Sequence, residues 1–132
     1  MMKRPVELVK EVISESNFPF DDIFLDCIPR EEEESVEKTQ ILLIEASNGP
    51  EEYGNSDFVS FLYGVYIQIF YSNDEDAAID ITSSEIELMK TLVEKNWLIA
   101  RSQEHYLDPN TKQMIKNLTV ERTMTLSEIA NS

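Results

Sequence analysis

Residues 58–71, Phe-Val-Ser-Phe-Leu-Tyr-Gly-Val-Tyr-Ile-Gln-Ile-Phe-Tyr, decide the fold. One alternation of this run gives Val59, Phe61, Tyr63, Val65, Ile67, Ile69 and Tyr71, all apolar or aromatic. The other gives Phe58, Ser60, Leu62, Gly64, Tyr66, Gln68 and Phe70. Successive side chains of a strand point to opposite faces, so this pattern predicts one long strand with one face buried and the other half covered. Ser60 and Gln68 interrupt the run, and it is too short for a membrane helix, which needs about 20 apolar residues. The second face carries too much apolar surface to stand in water, which predicts a packed helix or a partner over it.

The elements on either side of this strand follow from local signals. Pro5 suits a first helical position, and Val6, Val9, Val12 and Ile13 recur at helical spacing, predicting a helix from about Pro5 to Ser14. Asp22 to Ile28 reads as a short strand closed by Pro29, with the acidic run Glu31 to Glu34 as an exposed turn after it. Thr39 to Glu45 is rich in branched aliphatics and reads as a strand, closed by the turn-prone Ser47-Asn48-Gly49-Pro50. Ser72 to Asp76 reads as a polar turn.

A second helix is expected to start near Thr82 to Ser84, where Thr82 with Glu85 and Ser84 with Glu87 each read as a capping box. Ile86, Met89, Leu92, Val93 and Trp97 are its expected buried stripe. Trp97 to Ala100 then begins a strand, Asp108 to Thr111 turns, and Gln113 to about Met124 returns as a long strand. The expected architecture is a single α+β domain over residues 1–132, a mainly antiparallel sheet of about four to five strands packed by two helices.

Composition bounds the function. The 132 residues suit one core, and 42% are hydrophobic, twelve of them aromatic, so the chain is expected to fold. Eleven Lys and Arg stand against 26 Asp and Glu, a formal net charge of −15, which disfavours a surface built to neutralise nucleic-acid phosphates. Residues 1–96 carry 22 acids and 7 bases, whereas residues 97–132 carry four of each, so the C-terminal quarter is a different electrostatic surface. Glu7 and Glu11 fall where a signal peptide needs an apolar core, and no run reaches the length of a bilayer crossing. The reading is a soluble protein with no membrane contact, and Cys27, the single cysteine, points to a reducing interior.

No residue pattern points to an enzyme. Gly49, Gly54 and Gly64 stand alone and make no phosphate loop. His105 is the single imidazole and Cys27 the single thiol, and Cys27 is expected as a buried, inert member of an apolar strand. One His and one Cys do not make a zinc site, and His105 reads as a hairpin residue rather than a ligand. Ser72 to Asp76 superficially resembles a calcium loop but lacks its Gly and its distal Glu. No cofactor and no metal are expected. A binding or assembly role remains, with Tyr53, Tyr63, Tyr66 and Tyr71 as aromatic anchors.

Leu42-Leu43-Ile44-Glu45, Asn48 to Asn55, residues 58–71, Ile86 to Lys90, Trp97 and Asp108 to Gln113 together resemble a family of small virion proteins of siphophages and prophages of lactic acid bacteria. Members resemble the tail-terminator or tail-completion proteins of long non-contractile tails. The resemblance implies a homo-oligomeric ring of about six copies that caps the tail tube and meets the head connector. It further implies the major tail tube protein and the head-tail connector protein as partners. The expected location is the virion's head-tail junction, and the host cytoplasm during assembly.

On this reading Tyr53, Gly54, Asn55, Tyr63, Tyr66 and Gln68 are the candidate subunit or tail interface. Glu31, Glu32, Glu33, Glu34, Asp74, Glu75 and Asp76 are the candidate acidic lining of a lumen through which DNA passes. A neck or stopper protein at the same junction is the neighbouring alternative. An acidic inhibitor that mimics DNA is the alternative of another class.

Overall fold

A computed structural model describes residues 2–33, 35–54, 57–77 and 79–132. The chain is α+β, and its described residues form a six-stranded mixed sheet, a separate two-stranded hairpin and three α-helices. The elements are α1 (Pro5–Glu15), β1 (Asp22–Leu25), β2 (Gln40–Pro50), β3 (Tyr53–Gly54), β4 (Asp57–Phe58), β5 (Ser60–Phe70), α2 (Ile81–Glu94), β6 (Leu98–Ser102), β7 (Tyr106–Leu107), β8 (Met114–Thr125) and α3 (Leu126–Ala130). The sheet order is β1-β2-β5-β8-β6, with β7 continuing along the same side of β8 as β6.

The long aromatic run forms one long strand as expected, and that strand lies at the centre of the sheet. β5 pairs antiparallel with β2 on one side and β8 on the other, so Val65 and Ile67 lie opposite Val120 and Leu118. The face carrying Tyr63, Val65, Ile67 and Ile69 joins Val6, Val9 and Ile13 of α1, Leu88 and Leu92 of α2, and Ile129 of α3 in one apolar cluster. Tyr63 is 5% exposed and its hydroxyl donates to the Lys3 carbonyl at 3.1 Å, which makes it a core residue rather than an interface one.

Several boundaries differ from the expectation. Phe58 belongs to the β3–β4 hairpin, not to the long strand. Ser47 to Pro50 does not turn; β2 runs on through it, with a bulge between Glu45 and Ser47 that absorbs the irregular residues without ending the ladder. β1 stops at Leu25 and pairs parallel with β2, because Asp26 takes a left-handed φ of 71° and the chain then returns through residues 26–39 to start β2 at the same end. Cys27 follows that turn and is exposed, so the expectation of a buried thiol in a strand is overturned.

The second helix is rotated from its expected setting. Asp80 caps it, its side chain accepting from the Ser83 N–H at 3.1 Å, and neither expected capping box forms its start. Glu85, Leu88 and Leu92 face inward, whereas Ile86 is 48% and Val93 56% exposed. Trp97 lies beyond the helix, whose end is closed by Asn96 at φ 72° and by the Trp97 N–H donating to the Leu92 carbonyl at 2.9 Å. α3 was not expected, although Thr125 and Glu128 make a complete capping box at its start. Among the described residues no helix is long and apolar enough to cross a membrane.

Candidate functional site

Two regions concentrate the side chains that sequence reasoning singled out. The first is the end of the sheet where β2 and β8 begin and β5 finishes. Ser72 Oγ donates to the Glu37 carbonyl at 2.6 Å, the Asn73 N–H to the Val36 carbonyl at 3.0 Å, and Asn73 Nδ2 to the Thr111 carbonyl at 3.0 Å. These bonds tie three loops, residues 26–39, 71–80 and 108–113, into one surface. The two acidic runs, distant in sequence, are thereby brought to the same end of the molecule.

Glu31, Glu33, Asp74, Glu75 and Asp76 are exposed there, and Glu32 is half-buried. Glu34 lies outside the described residues. Lys38 offsets part of this charge, its Nζ standing 3.7 Å from Asp22 Oδ2 and 3.8 Å from Glu32 Oε2, and Arg30 and Lys112 lie on the same loops. Asp74 is committed locally, its Oδ1 accepting from the Asp76 N–H at 3.0 Å. Among the described residues no three His, Cys, Asp or Glu side chains converge as metal ligands do.

The second region is the sheet face away from the helices. Phe24, Leu42, Ile44, Leu62, Tyr66 and Phe70 alternate outward from the core residues, and none joins the core cluster. Leu42 is buried by its neighbours in the sheet and the other five are half-buried. No α-helix among the described residues covers this face. The Arg30–Glu32 turn overlies one end, where Gln40 Nε2 donates to the Glu32 carbonyl at 3.1 Å. Tyr66 and Gln68, both named from sequence, stand on this face, and the Tyr66 hydroxyl donates to Gln103 Oε1 at 3.4 Å. Beside them Asn117, directly opposite Gln68, is 5% exposed and its Oδ1 accepts no hydrogen bond from the described residues.

Tyr53 and Gly54 lie at the other end of the sheet, on the hairpin; Asn55 lies outside the described residues. Tyr53 is 67% exposed and begins a run of aromatic contacts inward. Its ring meets Phe58 edge-on at 6.3 Å between centroids, Phe58 meets Phe61 at 5.4 Å, and Phe61 meets Tyr63 at 6.4 Å. The hairpin is thus stiffened against the core by ring contacts worth about 0.5–1.5 kcal/mol each.

One constellation escaped the sequence reading. Glu85, 4% exposed in the first turns of α2, accepts from the Tyr71 hydroxyl at 2.5 Å, and its same oxygen lies 2.8 Å from His105 Nε2. Beside it Lys116, also buried, donates from Nζ to Ser102 Oγ at 2.8 Å and to the Gln103 carbonyl. The chain between β6 and β7 is therefore clamped from α2 and from β8. Charged groups are buried only where such partners exist, and no spacing in the sequence links residues 71, 85 and 105.

Burial and the adjoining Glu85 push the Tyr71 phenol above its ordinary value of 10.0. The folded chain then holds a proton that the unfolded chain releases, so this contribution to stability is intact below pH 10 and declines as pH rises above it. Replacing Tyr71 with Phe should lower stability by about 1–3 kcal/mol at neutral pH, since Glu85 loses a buried donor. It should also flatten the alkaline decline. Urea denaturation of both proteins across pH checks this.

With this geometry in place, the comparison with known families is informative. The family described as protein of unknown function (DUF806) matches residues 3–125. The chain belongs to the DUF806 family. The match runs from the residues before α1 through the last strand, so the whole sheet and both long helices of this DUF806 chain fall inside it. A search of curated proteins returned no match.

Proposed function

We propose that this DUF806 chain is a structural, non-enzymatic virion protein of a phage or prophage. In this reading about six copies close into a ring that caps the tail tube and joins it to the head connector. The observation that carries the reading is the gathering of the two acidic runs at one end of the sheet by the hydrogen bonds of Ser72 and Asn73. A ring through which DNA passes needs a lumen that does not hold phosphates, and like charge supplies that. Glu31, Glu32, Glu33, Asp74, Glu75 and Asp76 are assigned to the lumen on this reading. The exposed hairpin with Tyr53 at the opposite end is assigned to the tail tube.

A DNA-mimicking inhibitor, the alternative of another class, needs carboxylates spread along a face at phosphate-like intervals. Here the two acidic runs sit on loops at one end of the sheet, and the remaining exposed acids are scattered over the helices and the opposite end rather than spaced along one face. A neck or stopper position at the same junction differs only in the partners met. Capture of the tail tube protein supports the terminator position, and capture of connector proteins alone supports the neck.

Reversing Glu31, Glu33, Glu75 and Asp76 to lysine is expected to leave particle assembly intact and to slow or block DNA ejection. The four side chains are exposed, so folding should be unaffected. Ejection from purified particles, followed by dye uptake after receptor triggering, reads the effect. Normal ejection kinetics in assembled particles carrying the reversed residues would remove the lumen assignment.

A further inference from the structure

We infer that the ring contact is made by α2 of one copy lying across the helix-free sheet face of the next; this rests on the ring reading above. Each surface lacks on its own chain what the other provides. The sheet face carries half-buried Ile44, Tyr66 and Phe70 and, along β6, the strongly exposed Leu98, which pairs with Glu121 on the same side. α2 gives one apolar stripe, Leu88 and Leu92, to its own core and leaves Ile86 and Val93 exposed, with half-buried Met89 between them, around a shallow recess. A helix stripe and a sheet face of this kind are the two partners that make an α-on-β layer within a domain.

The polar groups match as well. Lys90 stands in the middle of the outward stripe and makes no ion pair among the described residues, and Glu121, half-buried opposite Leu98 on the sheet face, offers it a carboxylate. Arg101, on β6 opposite Thr119, is likewise without a carboxylate partner among the described residues, and Glu94 flanks the stripe. The contact joins two different surfaces, so it repeats head to tail and closes into a ring or extends as a filament. One acidic turn, Arg30–Glu32, borders the sheet face, and salt that screens the net charge of −15 should strengthen the contact.

The test compares three proteins by light scattering during size exclusion, at moderate salt and across concentration. One is the unaltered chain, one carries Ile86→Glu with Val93→Glu, and one carries Leu98→Glu. All three altered positions are exposed, and circular dichroism confirms that each variant keeps its fold. The unaltered chain should assemble and each variant alone should elute as a monomer. Mixed, the two variants should form a two-chain species, because one retains a sound sheet face and the other a sound helix stripe. An assembled unaltered chain with an equally assembled Ile86→Glu/Val93→Glu variant overturns the contact and leaves the ring standing. Variants that stay monomeric when mixed overturn head-to-tail pairing of these two surfaces. An unaltered chain that stays single at every concentration, both alone and with the tail tube protein added, overturns the ring and the contact together.

Discussion

Trp97→Ala should lower the unfolding free energy by about 3–5 kcal/mol, the range found when a buried aromatic is truncated and the cavity is not refilled. Trp97 is almost fully buried at the point where the chain leaves α2 and enters β6. It borders a recess that Leu8 and Val12 of α1 also line, so its ring connects both long helices to the edge of the sheet. Few single changes touch as many layers. For a domain with a total stability of about 5–15 kcal/mol, a loss of that size unfolds a large part of the population on mild warming. The measurement is the urea midpoint with its slope: a lower midpoint at unchanged slope is expected. A shift below about 1 kcal/mol would mean that Trp97 is not packed as described.

Gly64→Val should be the second most costly change, about 2–4 kcal/mol, through overpacking rather than a void. Gly64 is buried in the central strand opposite the bulge of β2, and a Cβ there would stand 3.0 Å from both the Cβ and the backbone N of Ser47. The backbone of β2 cannot retreat without breaking the ladder that it shares with β5. Gly64→Ala should cost less, because one methyl needs a shift of only a few tenths of an ångström. Thermal melts of the two variants should rank alanine above valine. Equal melting of Gly64→Val and the unaltered chain would show that the bulge yields freely.

How much of this was legible in the sequence differs by element. The strand at residues 58–71 announced itself because a central strand needs one fully apolar face, and Tyr63, Val65, Ile67 and Ile69 supply it. The setting of α2 was not legible. Its sequence carries two apolar stripes, and the choice between them is made by Glu85, which faces inward because Tyr71 and His105 wait there to satisfy it. Those partners come from β5's end and the β6–β7 loop, so only the assembled fold discloses them. The parallel pairing of β1 was hidden for a similar reason: it depends on the return path after Asp26, and strand propensity does not state direction.

The candidate site was read in pieces. Tyr66, named as an aromatic anchor, and Gln68, named with it as a candidate interface residue, both stand on the helix-free face. Tyr63 was misassigned, since an aromatic on the apolar alternation belongs to the core whatever its hydroxyl can do at an interface. The acidic runs were visible as runs, but their meeting at one end required the hydrogen bonds of Ser72 and Asn73. The exposed stripe of Ile86 and Val93 was absent from the sequence reading altogether, because the same residues had been assigned to the core.

Whether the chain closes into a ring is decided by the mass of the assembled protein. Light scattering coupled to size exclusion should be run over a wide concentration range at moderate salt, with the tail tube protein added in a parallel series. A species of about six chains of 15.3 kDa each, formed by the chain alone or on the tube, is the expected result. A single chain at every concentration, with and without the tube, contradicts the ring.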